Sequence, residues 1–186
     1  MALTYGSGEW EEAYQKILQR RLKDKKEPYT QGTPEWVDKY EKLIQGDETY
    51  REAAQGWEGT VVLHTLADPA AGIEEDSYML MDLWHGECRK IRIVPPEVGE
   101  AGDYIISGSF EAWKRLSKGE LDTNKAVMQG KLKLKGDLAA IVRYNQASSR
   151  LTELSSSIDD RFADEVSPEE MEDLKQLGEE LKRTFS

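Results

Sequence analysis

Apolar residues in the first 55 positions recur every three or four residues, so each run they form has one apolar side and one charged side. Trp10, Ala13, Tyr14, Ile17, Leu18 and Leu22 make the first stripe, closed by the charged residues 23–27 and by Pro28. A second helix is expected to open at Thr33 as N-cap with Pro34 in its first turn. Its stripe is Trp36, Val37, Tyr40, Leu43, Ile44 and Tyr50. From Gly56 the texture changes to short β-branched and alternating runs punctuated by turns. Strands are expected over 60–66, 78–84, 88–94, 103–107 and 131–135. In the third, Lys90 and Arg92 alternate with Ile91 and Ile93; in the fifth, Lys131, Lys133 and Lys135 alternate with Leu132 and Leu134.

Helices return between and after these strands. Ser109 caps a short one presenting Phe110, Trp113 and Leu116. Asp122 caps another that runs through Met128, and Asp137 starts one carrying Leu138, Ile141, Val142, Leu151 and Leu154. Residues 155–160, three serines followed by acidic positions, read as the start of a linker. Ser167-Pro168-Glu169-Glu170 then forms a capping box ahead of a stripe of Met171, Leu174, Leu177, Leu181 and Phe185. Strands joined by short turns, with helices segregated around them, define an α+β layer fold with a largely antiparallel sheet and helices on one side. The chain divides into an N-terminal helical extension over 1–55, a domain over 56–154, and a linker with an amphipathic C-terminal helix over 155–186.

Charge and composition narrow the function. The 186-residue chain carries a net charge of -11, its pI is near 4.8 and its mean hydropathy is -0.69. Nucleic acid, which rewards clustered Lys and Arg, is a poor partner for it. No run approaches the roughly 20 apolar residues that span a bilayer, so no stable membrane insertion is expected. The start lacks a secretory pattern and the end lacks a peroxisomal one, which makes a cytoplasmic location the expectation. Cys88 is the only cysteine, excluding an internal disulfide and a cysteine metal cluster.

The residues available for catalysis are His64, Asp82, His85, Glu87 and Cys88. His85 and Cys88 flank an expected turn, but nothing arranges a third group or an oxyanion hole for them. The two histidines lack ligand-like spacing, and no glycine loop of a nucleotide-binding kind is present. The expectation is a protein that is not an enzyme and holds no cofactor or metal.

The stretch Ala101-Gly102-Asp103-Tyr104-Ile105-Ile106-Ser107-Gly108-Ser109-Phe110-Glu111-Ala112-Trp113, a strand leading into a helix with a central tryptophan, resembles the lipid-binding domain of the sterol carrier protein type 2 family. So does the run from Ala126 through Lys131-Leu132-Lys133-Leu134-Lys135-Gly136-Asp137, a helix, an alternating strand and a second helix start. The lead-in over 50–59 is similar to that of stand-alone prokaryotic members. The resemblance implies a five-stranded sheet with helices packed on one face around an apolar tunnel. It also implies carriage of fatty acids, fatty acyl thioesters or sterol-like lipids without a cofactor.

On that reading Met79, Met81, Phe110, Trp113, Leu116 and Met128 are the expected ligand-binding residues, with ordinary core packing as the alternative for each. Met79 and Met81 share the strand face opposite Leu80, and methionine adapts to ligands of varied shape. Leu174 and Leu177 are expected to contact ligand if the last helix is a lid over the tunnel mouth. Permanent packing of that helix, or a homodimer contact, would use the same stripe. The lysines at 131, 133 and 135 are expected to solvate an edge strand rather than to hold head groups. The rival function is an interaction module whose flanking helices dock a partner enzyme that handles lipids.

Overall fold

The computed structural model describes residues 3–186. The chain runs α1 (Gly8–Asp24), β1 (Tyr29–Thr30), α2 (Pro34–Gln45), α3 (Glu48–Ala53), β2 (Glu58–Thr65), β3 (Ser77–Trp84) and β4 (Glu87–Val94). It continues through α4 (Pro96–Gly99), β5 (Tyr104–Gly108), α5 (Phe110–Ser117), α6 (Thr123–Met128) and β6 (Lys133–Lys135). It ends with α7 (Leu138–Arg143), α8 (Asn145–Ser156), β7 (Asp160–Arg161) and α9 (Pro168–Phe185). The main sheet has the order β4-β3-β2-β5-β6. Within it only β2 and β5 run parallel; the other three pairings are antiparallel. The sheet is therefore mixed, within the α+β class expected. β6 is an edge, and its exposed lysines discourage further strand pairing there.

Capping fixes the helix starts. The side chains of Thr33, Ser109, Asp122, Asp137 and Ser167 each accept a backbone N–H of the first turn. Two expected helices are each split in two. The stripe ending at Tyr50 breaks at Gly46, because the Asp47 carboxylate accepts the Tyr50 N–H at 2.8 Å and starts α3. The run from Asp137 breaks at Tyr144, which ends α7 and opens α8. There its ring meets Trp57 edge-on at 5.3 Å. The fifth strand is shorter than expected, since the N–H groups of Lys131 and Leu132 both donate to Ala126 O and finish α6. Between β3 and β4, His85 (φ 49°) and Gly86 (φ 84°) make a two-residue hairpin turn. A Cβ at Gly86 would lie 2.5 Å from the Arg51 carbonyl oxygen, so only glycine fits.

Both faces of the sheet are covered. Alternation sends Val61, Met81, Leu83, Ile91 and Ile106 to a core shared with α2, α5 and α8. It sends Val62, Tyr78, Leu80, Val94 and Ile105 to a second core, formed with Trp10, Tyr14 and Ile17 of α1 and Leu177 and Phe185 of α9. The core helices thus occupy one face, as expected, while the two outlying helices close the other. The segment read as a linker is ordered against the body. Ile158 and Phe162 are buried, β7 pairs with β1, and the Trp36 Nε1–H donates to Asp160 at 2.7 Å. Serines and acidic residues dominate the segment, so Ile158 and Phe162 do not stand out in it as core positions.

Ion pairs hold the outlying helices in place. Arg92 of β4 binds Glu11 of α1 at 3.1 Å and Glu41 of α2 at 2.9 Å. Asp173 of α9 meets Lys25 at 3.0 Å and Arg21 at 3.1 Å. Burial pushes the Glu11 and Asp173 carboxyls up, but their cationic partners outweigh it and hold both below the ordinary carboxylate range. Carboxylates lowered in the folded state stabilise it above their unfolded pKa, and that contribution fades as pH falls through the folded value. Urea unfolding should therefore show stability that is flat near neutrality and declines below about pH 4. The decline should shrink in Glu11→Gln, Asp173→Asn protein. Equal acid sensitivity in that variant would contradict the assignment.

Candidate ligand-binding site

A cavity of about 280 Å³ lies between the sheet and the helices of the first core. That is near the lower end of the roughly 300–1,000 Å³ typical of small-molecule sites. The sheet supplies one wall because Val61, Leu63, Met79, Met81, Leu83 and Ile106 share a face by strand alternation. α5 contributes Phe110, Trp113 and Leu116 from one side of its turns. α2 and α3 bring Trp36, Tyr40 and Tyr50. α8 brings Ala147, Ser148, Leu151, Thr152 and Ser155, whose spacing of three or four residues places them along one helix face.

Several polar atoms of the aromatic walls are engaged by the protein itself. Trp113 Nε1–H donates to His64 O at 3.0 Å, Trp57 Nε1–H to Gly59 O at 2.9 Å, and the Tyr40 hydroxyl to Leu151 O at 2.9 Å. With those hydrogen bonds made internally, the rings offer the cavity mainly carbon. Burial drives the Tyr40 and Tyr50 hydroxyl pKa values far upward, so both stay neutral. A hydroxyl row runs along α8 through Ser148, Thr152 and Ser155, and Thr65, Ser77, Ser117, Thr123 and Gln31 also reach the lining. Gln31 donates its amide to Ser117 Oγ at 2.8 Å.

Of the residues singled out in the sequence, Met79, Met81, Phe110, Trp113 and Leu116 line this cavity. Met128, Leu174 and Leu177 do not. Met128 ends α6 and is 74% exposed, because the α6 residue turned inward is Ala126. Leu177 is buried in the second core, and Leu174 is half-buried on the same helix. The last helix is not placed as a lid: it packs across the sheet from the cavity, where Phe185 finds the Trp10 ring at 4.6 Å. It approaches the cavity only indirectly, through Met171 beside Gly72 in the β2–β3 connection whose Ile73 reaches the lining. Sequence reasoning missed Trp36, Tyr40 and Tyr50, which fell in the presumed extension. It also missed the α8 hydroxyls, whose spacing alongside Ala147 and Leu151 was the available signal.

The residues considered for catalysis lie apart. Cys88 is buried and its thiol is pushed up to about 12, chiefly by desolvation, so it is no thiolate at neutral pH. His85 instead stacks on Trp84 and contacts Glu58 at 3.1 Å. His64 does have a hydroxyl and a carboxylate beside it: Nδ1 lies 2.8 Å from Ser107 Oγ and Nε2 lies 2.8 Å from Asp76 Oδ2. These are the atom types of a nucleophile–base–carboxylate relay. Ser107, however, sits mid-sheet, in register with His64 on one side and Lys133 on the other, outside the cavity lining. The Asp76 carboxylate also accepts the Ala67 N–H at 2.8 Å, so the trio pins the β2–β3 connection to the sheet. Among the described residues no group of three His, Cys, Asp or Glu is placed to hold a metal. Nor is any described helix long and apolar enough to cross a membrane.

A five-stranded mixed sheet with a largely apolar cavity beneath its helices is an α+β domain of the sterol-carrier kind. Residues 40–148 match the SCP-2 sterol transfer family, and the chain belongs to that family. The crystal structure of a sterol carrier protein 2 is 35% identical, with a TM-score of 0.61 over 67% of this chain and 95% of that one. A conserved hypothetical protein from Thermus thermophilus, known from its solution structure, is also 35% identical. Its TM-score is 0.62 over 69% of this chain and 89% of its own. No curated protein matches the chain.

Proposed function

We propose that this protein binds and carries apolar ligands, with an acyl chain or a sterol-like ring system held between the sheet and α2, α5 and α8. The observation that carries the reading is the cavity itself, walled by aromatic and methionine side chains, with the polar atoms of Trp113, Trp57 and Tyr40 already bonded within the protein. Membership of a sterol transfer family supports it. Binding would be driven by burial, at roughly 0.8 kcal/mol per methylene removed from water. The role is carriage rather than catalysis, and it needs no cofactor. Docking of a partner enzyme through the outlying helices finds less support, because the buried faces of α1 and α9 are used in the protein's own second core.

Ala147 projects from α8 into the cavity, so Ala147→Trp should fill it while Met128→Ala leaves it untouched. Titration with a fluorescent long-chain lipid should show wild-type and Met128→Ala protein binding alike. Ala147→Trp should bind at least about tenfold more weakly, a loss of roughly 1.4 kcal/mol. Failure of the wild-type protein to bind any long-chain lipid would refute carriage.

A further inference from the structure

We infer that the cavity discriminates by head-group charge, accepting uncharged amphiphiles such as long-chain alcohols, ketones and esters in preference to ionised fatty acids. This inference rests on the carriage reading and narrows it. Among the described residues that line the cavity, none carries a charge. Its polar groups are hydroxyls and one amide: Ser148, Thr152 and Ser155 along α8, Thr65, Ser77, Ser117, Thr123 and the lining tyrosines, and Gln31. Hydroxyls and amides both donate and accept, so they can match an alcohol or a carbonyl oxygen. They cannot neutralise a carboxylate, and an ion left unpaired in an apolar site takes up a proton or stays out.

The surroundings reinforce the selection. Lys114 and Lys118 lie over the Phe162 ring, outside the lining, and Lys114 is already paired with Asp164 at 3.0 Å. Beside the cavity-lining Trp36, the charged group supplied is Asp160, which accepts the indole N–H at 2.7 Å. A carboxylate there repels an anionic head group rather than attracting one. The Lys133 and Lys135 side chains on the edge strand, and Lys131 just before it, are exposed and outside the lining. The α8 hydroxyls can therefore hydrogen-bond a head group without charge pairing.

The test compares three ligands of one chain length, 1-dodecanol, methyl dodecanoate and dodecanoate, each displacing a fluorescent lipid at pH 8. The alcohol and the ester should bind comparably, and dodecanoate should bind at least about tenfold more weakly, since each pH unit above a carboxyl pKa costs tenfold if only the protonated form enters. Lowering the pH toward 5 should strengthen dodecanoate binding and leave dodecanol unchanged. Equal affinities, or tighter binding of dodecanoate, would overturn the inference while leaving carriage intact. Binding of none of the three would remove the carriage reading as well. Ser148→Lys adds a cation to the α8 wall and should raise dodecanoate affinity by about tenfold. A folded Ser148→Lys protein with an unchanged alcohol-to-acid ratio would overturn the placement of the head group at α8.

Discussion

Replacing Trp10 with alanine should cost the folded state about 3–5 kcal/mol, the range for truncating a buried tryptophan or phenylalanine. Trp10 is 0% exposed, stacks on Tyr14 at 5.3 Å, meets Phe185 at 4.6 Å and receives Tyr5 edge-on at 4.9 Å. It is the junction at which the first helix, the last helix and the second face of the sheet meet. Its indole N–H is buried without a hydrogen-bond partner, which already counts against the folded state. Trp10→Phe should therefore lose much less than Trp10→Ala, keeping an aromatic ring while shedding that unpaired donor. Urea unfolding followed by circular dichroism gives both values. Because α1 lies across the sheet from the cavity, lipid affinity of the folded fraction should not change in either variant. A loss below about 1 kcal/mol for Trp10→Ala would mean that α1 is not integral to the core.

That the first helix is structural could not be read from its own residues. The stripe of Trp10, Tyr14 and Ile17 announced an apolar face, and the stripe of Leu177 and Phe185 announced another. Periodicity says that a face must be covered but not by what, and these partners lie at opposite ends of the chain. The strands were similarly half legible. Alternation separated Met79 and Met81 from Leu80, yet only the three-dimensional arrangement shows which of the two sheet faces encloses the cavity. Met128 misled because an apolar residue inside a helix is usually buried, whereas α6 is too short to bury more than Ala126. The α8 hydroxyls were passed over for the opposite reason: serine and threonine on a helix read as solvent-facing, although here they border a cavity.

The buried ion pair between Arg21 and Glu35 should be the other position where one substitution has a large effect. The guanidinium donates to both carboxylate oxygens, at 2.7 and 2.9 Å, and the side chains are only 4% and 3% exposed. It ties α1 to α2, and through Asp173 at 3.1 Å it reaches α9. Taking either charge away strands the other in a low-dielectric setting, which costs about 3–5 kcal/mol. Arg21→Met leaves Asp173 with Lys25 as a partner at 3.0 Å, so the stranded charge is that of Glu35. Glu35→Leu leaves Arg21 with the partly exposed Asp173, a softer loss, so it should be the milder of the two. The double variant Arg21→Met, Glu35→Leu strands no charge between them, and an apolar pair of similar volume is often neutral or better at such sites. The double variant should therefore recover most of what Arg21→Met loses, giving a strongly non-additive cycle in urea unfolding. If the losses simply add, the two side chains contribute independently and the charge pairing is not what holds α1 against α2.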